Sequence, residues 1–290
     1  MRLYAFDGTG NHDSDDDDRD TNVVRFCKAF TGVERVDTLY VKGVGTKLGP
    51  IGRVIGGITG AGGWGRVIEA RTHLEQHWQG EPIVVVGFSR GSALALDFCN
   101  EIAGGVTGKR MTAPRVPVIR FLGLWDLVAS FGIPGNNINL GYQLTVPDAV
   151  EHCCHAMALD ERRYTFAITR VKYALDKKRE NGEKKAYEVW FRGGHGDIGG
   201  GNRNVARGSI ALRWMMLHAL SHGVPLDASA MPAPAVSTDT LPVQAKQWFL
   251  KWARKPAVNE RVHESVEWSL NAGYLDPPAP YQVEADPAVV

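Results

Sequence analysis

Residues Ile83 to Leu96 read IVVVGFSRGSALAL: a fully apolar run, a Gly-Phe-Ser-Arg-Gly turn, then small and apolar residues. An apolar run without polar alternation fits a strand buried on both faces, and such strands belong to parallel sheets covered by helices. A sharp glycine-flanked turn into a helix puts its central residue, Ser89, at the carboxyl edge of that sheet, where α/β proteins collect functional groups. Two readings stay open at this point. Ser89 is either a nucleophile on a strained strand-to-helix elbow or the polar residue of a tight turn.

The rest of the chain repeats the alternation. Leu3–Phe6, Leu39–Val41, Val116–Trp125, Tyr164–Thr169 and Glu188–Phe191 are expected as strands. Thr21–Phe30, Trp64–Trp78, Ser92–Ile102, Val146–Leu159 and Val205–His222 are expected as helices. The expected fold class is α/β, with a mainly parallel sheet and helices on both faces. Gly43–Gly65 and RGGHGDIGGG (Arg192–Gly201) read as glycine-rich loops, and Lys172–Lys185 as a charged excursion. Residues 1–225 are expected to form the main domain. Residues 226–290 supply a linker, a helix over Val243–Lys255 and a Pro-rich extension packed on the same domain.

Composition removes several function classes. The formal charge of +1 gives no global field for nucleic acid or anionic membrane. No segment approaches the roughly 20 apolar residues of a membrane span. The apolar run before Asp7 is too short for a signal peptide, so synthesis in the cytoplasm is expected. The four cysteines, Cys27, Cys99, Cys153 and Cys154, form no disulfide framework. His152-Cys153-Cys154-His155 invites a metal, but no second cluster accompanies it, and the buried face of a helix is the expected role. The acidic run Asp13–Asp20 lacks the Gly and Glu of a calcium loop and reads as a solvated loop. Gly60-x-Gly62-x-x-Gly65 has no strand before it and does not fit a dinucleotide site.

The chemistry gathers at strand ends. Asp7-Gly8-Thr9, Ser89, Asp126 and His195 each follow a predicted strand. A serine hydroxyl is a poor nucleophile until a base takes its proton, and the base works best when a carboxylate orients it. Ser89, Asp126 and His195 occur in the order Ser, Asp, His. Gly87 and Gly91 would let strand and helix pass closely at the elbow. The backbone N–H of Arg90, with Gly8 or Thr9, would bind a developing oxyanion. Asp7 and Asp197 would support the site. Each assignment has a plainer rival: a helix cap for Asp126, a loop histidine hydrogen-bonded to Asp197 for His195, and His263 as competitor for the base. His73 and His77 lie four apart on the helix expected over Trp64–Trp78 and are expected in surface or packing roles. No metal or organic cofactor is required.

FDGTGN (Phe6–Asn11), TNVVRF (Thr21–Phe26), GVGT (Gly43–Thr46), GFSRGS (Gly87–Ser92), LGLWDLVASFGIP (Leu122–Pro134), ALDERR (Ala158–Arg163) and WFRGGHGDIGGG (Trp190–Gly201) recur in this order. Together they resemble the catalytic domain of the type VI secretion phospholipase effectors, over nearly the whole chain. VHESV (Val262–Val266) resembles a segment near that domain's end. The resemblance implies an α/β-hydrolase-like fold and a serine lipase acting on phospholipid acyl esters, with Ser89 as nucleophile, Asp126 as acid and His195 as base. It implies export by a type VI secretion system, with the secretion apparatus or an immunity protein as partners. Ser92 departs from the usual Ala, and the aspartate run is foreign to the pattern. WFLKW (Trp248–Trp252), with Arg254 and Lys255, is a candidate for membrane-surface contact, although such a helix more often docks on its own domain. Small soluble esters, acyl transfer to an alcohol and a non-catalytic binding module are the alternatives.

Overall fold

The computed structural model describes residues 1–8, 20–32, 37–43, 61–108, 111–129, 142–163, 166–173, 186–202, 205–234, 254–269 and 277–288. The chain runs β1 (Arg2–Phe6), α1 (Asn22–Ala29), β2 (Thr38–Val41), α2 (Ala61–His77), β3 (Ile83–Phe88) and α3 (Arg90–Ala103). It continues through β4 (Ile119–Trp125), β5 (Thr145–Val146), β6 (Cys153–Ala158), β7 (Lys172–Tyr173) and β8 (Ala186–Phe191). Helices α4 (His195–Gly199) and α5 (Val205–Ser221) and strands β9 (Arg261–His263) and β10 (Gln282–Glu284) complete it.

Among the described residues the main sheet has eight strands, ordered β2-β1-β3-β4-β6-β8-β9-β10. Every neighbouring pair in it is parallel. Alternate side chains along the strands build two cores. On one face Tyr4, Phe6, Ile83, Val85, Leu122 and Leu124 pack with Val67 and Leu74 of α2 and with Leu94 and Phe98 of α3. On the other, Leu3, Ala5, Val84, Val86, Phe121 and Trp125 pack with Phe26 of α1 and with Leu212 and Met215 of α5. Each such fully buried large side chain contributes roughly 1.5–3 kcal/mol. The expected α/β class with helices on both faces is what forms.

The strand order reverses at β1, which pairs with β2 on one side and β3 on the other. A crevice opens outside the carboxyl ends of strands at such a point. Asp7 and Gly8, at the end of β1, lie next to the Ser89 turn at the end of the neighbouring strand β3.

Several expectations change. Val146–Leu159 is not a helix but holds β5 and β6. The run CCHAMA is buried throughout, and a short apolar run buried on both faces has no period that separates strand from helix. Cys153 and Cys154 accordingly point into opposite cores. Residues 166–169 are not a strand. Thr169 N–H instead donates to Leu127 O at 2.9 Å, binding this segment to the turn after β4. The glycine-rich run after β8 contains the short helix α4. Strands β9 and β10 lie in what reads as a Pro-rich tail. Of the helix expected over 243–255, residues 243–253 lie outside the described residues and 254–255 are not helical. Thr9, most of the Asp13–Asp20 run, most of Gly43–Gly65 and the WFLKW stretch also lie outside them.

Candidate active site

Ser89 sits between β3 and α3 with φ 58° and ψ −124°, a conformation L residues avoid. Such strain costs about 1–3 kcal/mol and persists only where the surroundings fix it. Here they do. Ser89 N–H donates to Trp125 O at 2.9 Å, and Ser89 O accepts from Ser92 N–H at 3.1 Å. The flanking glycines answer to space rather than to backbone angle. A Cβ on Gly91 would lie 2.2 Å from Phe6 O, and one on Gly87 would lie 2.7 Å from Gly91 O. The elbow is thus wedged against the end of β1.

Asp126 ends β4 in the left-handed region as well, with φ 42°. Its N–H donates to Ala156 O at 2.8 Å, which keeps it in line with β6. The carboxylate is fully buried and each oxygen takes two donors. Oδ1 accepts from Ala158 N–H at 2.8 Å and from Arg254 Nη1 at 2.6 Å. Oδ2 accepts from Arg254 Nη2 at 3.0 Å and from His195 Nδ1 at 2.6 Å. Burial alone would raise this carboxyl. The Arg254 charge and the His195 hydrogen bond outweigh it and hold the group well below the usual carboxylate range. An ionised Asp126 only accepts, so the proton of that bond sits on His195 Nδ1, and Nε2 carries the lone pair.

That lone pair faces Ser89: Oγ lies 2.9 Å from His195 Nε2. The imidazole lies between Phe88 and Phe166, each ring centroid 4.7 Å away. Burial pushes the His195 pKa down, against the pull of Asp126. The ring is therefore neutral near pH 7 and able to accept a proton. Its backbone is anchored too. His195 N–H donates to Glu161 Oε2 at 3.1 Å, and Glu161 is clamped by Arg163. Gly193 N–H donates to Asp160 Oδ2 at 2.7 Å, and Arg192 pairs with the same carboxylate at 3.0 Å. The turn after β6 thus fixes the turn after β8.

The other sequence candidates have definite places. Arg90 opens α3, so its N–H has no acceptor within the helix and stands beside the serine. Burial pushes its guanidinium down to about 10. Asp7 is buried and accepts from Thr21 Oγ1 at 2.9 Å, Tyr40 Oη at 2.6 Å and Gly8 N–H at 2.6 Å. Gly8 N–H is therefore engaged by its neighbour's carboxylate rather than turned to the crevice. Asp197 caps α4 by accepting from Gly194 N–H at 2.9 Å. It serves the helix and does not bond the imidazole.

The histidine rivals lie elsewhere. His263 is bound by Ser265 and, at 3.3 Å, Asp286. His73 and His77 stack on each other beside Tyr4. Of the His152–His155 block, His155 accepts from Leu127 N–H at 3.0 Å and donates to Glu188 Oε1 at 3.0 Å. It braces the turn that carries Asp126. His152, Cys154 and His218 bring donor atoms within 4.8 Å of one another, from the residue before β6, from β6 and from α5 rather than from one helix.

Arg254 has no local sequence signal. The sequence set it next to a stretch that was a candidate for membrane contact but more often docks on its own domain; Arg254 is 5% exposed and turned into the site. A charged side chain buried with a matched carboxylate is not available to an interface. Glu161 and Asp160 fall within ALDERR, which marked them only as part of a pattern.

A family model described as the type VI secretion system phospholipase effector Tle1-like catalytic domain matches residues 3–102 and 103–218. No curated protein matches the sequence. Among solved structures, an uncharacterized protein from Pseudomonas aeruginosa is 21% identical with a TM-score of 0.57, over 77% of this chain and 46% of that one. The Tle1 effector bound to the VgrG spike of the type VI secretion system is 22% identical with a TM-score of 0.43, over 69% of this chain and 51% of that one. The chain thus spans about half the length of these structures.

Proposed function

The chain belongs to the type VI secretion phospholipase effector, Tle1-like catalytic-domain family, and on that premise we propose that it hydrolyses phospholipid acyl esters with Ser89, His195 and Asp126 as the reacting set. The observation that carries the reading is the continuous hydrogen-bond line from Ser89 Oγ to His195 Nε2 at 2.9 Å and from His195 Nδ1 to Asp126 Oδ2 at 2.6 Å.

Ser89 Oγ attacks the acyl carbonyl carbon as its proton passes to His195 Nε2. Asp126 stabilises the imidazolium that results. The carbonyl oxygen becomes an oxyanion beside Arg90 N–H, the first donor at the start of α3. Since Gly8 N–H is held by Asp7, it would have to leave that carboxylate to serve as the second donor. The oxyanion then re-forms the carbonyl as the ester C–O bond to the alcohol breaks, the leaving oxygen takes the proton from His195, and an acyl-Ser89 ester remains. Water attacks that ester as its proton passes to His195 Nε2; the acyl C–Oγ bond breaks, His195 returns the proton to Ser89 Oγ, and the fatty acid leaves. Residues 254–269 and 277–288 form part of the catalytic unit in this reading, because Arg254 holds Asp126 and β9 extends the sheet from β8. Family membership supports export by a type VI secretion system and contact with its apparatus. Among the described residues no helix is long and apolar enough to cross a membrane.

Fatty-acid release from phospholipid vesicles and from short-chain esters tests the substrate. Wild type should act on the vesicles and Ser89→Ala should not. Hydrolysis of soluble esters with intact vesicles would assign a small-ester substrate instead, and inactivity on both would remove the reading.

A further inference from the structure

We propose that Arg254 is a positioning residue of this site: its guanidinium, delivered from the C-terminal part of the chain, fixes the plane of the Asp126 carboxylate and so the orientation of the His195 ring. The proposal rests on the reading of Ser89, His195 and Asp126 as the reacting set. Arg254 also lies beyond the residues that the family model matches, which end at 218.

The geometry is specific. Nη1 and Nη2 each donate to a different oxygen of Asp126, at 2.6 and 3.0 Å, in the two-point manner of a planar guanidinium on a carboxylate. The same two nitrogens donate to Ala158 O at 2.8 Å and Phe166 O at 2.5 Å. One side chain therefore ties together the end of β4, the end of β6 and the segment whose Phe166 ring packs edge-on against His195. A carboxylate held by one backbone N–H and one imidazole could swing about its Cβ–Cγ bond. Held by the fork as well, it cannot turn without breaking two charged hydrogen bonds.

The charge has a second consequence. The charged groups around the imidazole are Asp126 from the end of β4, Glu161 from the segment after β6 and Arg254; Asp197 lies on its own helix. Both carboxylates Asp126 and Glu161 favour a protonated ring, and Arg254 opposes it. Without Arg254 the buried Asp126 charge would be balanced by holding a proton on His195. The base would then be lost at pH values where the wild type works.

The test is the rate at which a fluorophosphonate inactivates wild type, Arg254→Met and Arg254→Lys as a function of pH, with kcat on an ester and a melting curve for each. Arg254→Met should lower kcat by about 100-fold, as expected for a misplaced reacting group, with little change in KM. Its acid limb should move up by about one pH unit. Arg254→Lys keeps the charge and loses the fork, so its acid limb should stay near wild type while kcat falls. A residue that only packed the C-terminal segment would lower the melting temperature and leave the acid limb in place. A folded Arg254→Met with the wild-type limb and kcat overturns the proposal. If Arg254→Met does not fold, Arg254→Lys decides it: unchanged kcat overturns it and a fall at an unmoved limb supports it. A wild type that is not labelled at Ser89 strikes the underlying reading instead, which keeps the two failures apart.

Discussion

The elbow and the C-terminal segment serve one site by opposite means. Residues 83–103 carry their own instructions: an apolar strand, two glycines that admit close contact, and a serine in a strained turn, all contiguous. Residues 254–288 carry almost none. Their strands are three residues long, and Arg254 finds its partner 128 positions away. The elbow holds its geometry through backbone wedged on backbone, whereas the C-terminal segment contributes through one buried fork of charged hydrogen bonds. Under the proposed function, the contrast teaches that the reacting atoms can be locally encoded while their orientation is borrowed from a distant part of the chain.

The largest effect that would sharpen this contrast belongs to the elbow. Ser89→Ala should lower kcat by roughly ten thousandfold or more with an unchanged melting temperature, measured by ester hydrolysis and calorimetry. Next comes Gly91→Val, whose side chain meets the Phe6 carbonyl where a Cβ alone would lie 2.2 Å away. A destabilisation of about 3 kcal/mol in urea unfolding is expected, with loss of activity in the folded fraction.

The C-terminal counterpart should be milder. Glu260 accepts from Trp190 Nε1 at 2.6 Å and pairs with Arg170, pinning the chain just before β9. Glu260→Ala should cost about 1.5 kcal/mol and reduce kcat less than Arg254→Met does, because the fork itself remains. If Glu260→Ala abolished activity in a folded protein, the division between anchoring and positioning would be wrong.

The smallest effect is in the pH profile of the wild type. Burial lowers the His195 pKa from its ordinary value of about 6.5, and the proposed reaction needs the neutral ring. The rate of kcat/KM should therefore rise with pH through a midpoint below about 6.5 and level off above it. A midpoint well above that value would mean that Asp126 and Glu161 outweigh burial and Arg254.

The difference between the two regions also explains what the sequence made legible. Strand ends at Asp7, Ser89, Asp126 and before His195 could be read because each follows an apolar run closed by a polar or glycine turn. Helices α2, α3 and α5 follow from their length and composition. Strand β6 could not be told from a helix, since CCHAMA is buried on both faces and leaves no period to read. The bracing of His195 by Glu161 and of the Asp126 turn by His155 depends on which loops meet at the carboxyl edge, and that is a property of strand order. Arg254 was the hardest case. A basic residue beside a tryptophan-rich stretch reads as a surface group until the fold supplies its carboxylate.

Fluorophosphonate labelling followed by peptide mapping bears most directly on the central claim. A single adduct on Ser89 is expected in the wild type, none in Ser89→Ala, and strongly slowed labelling in His195→Ala. A folded wild type that stays unlabelled, or an adduct that persists in Ser89→Ala, would contradict the account.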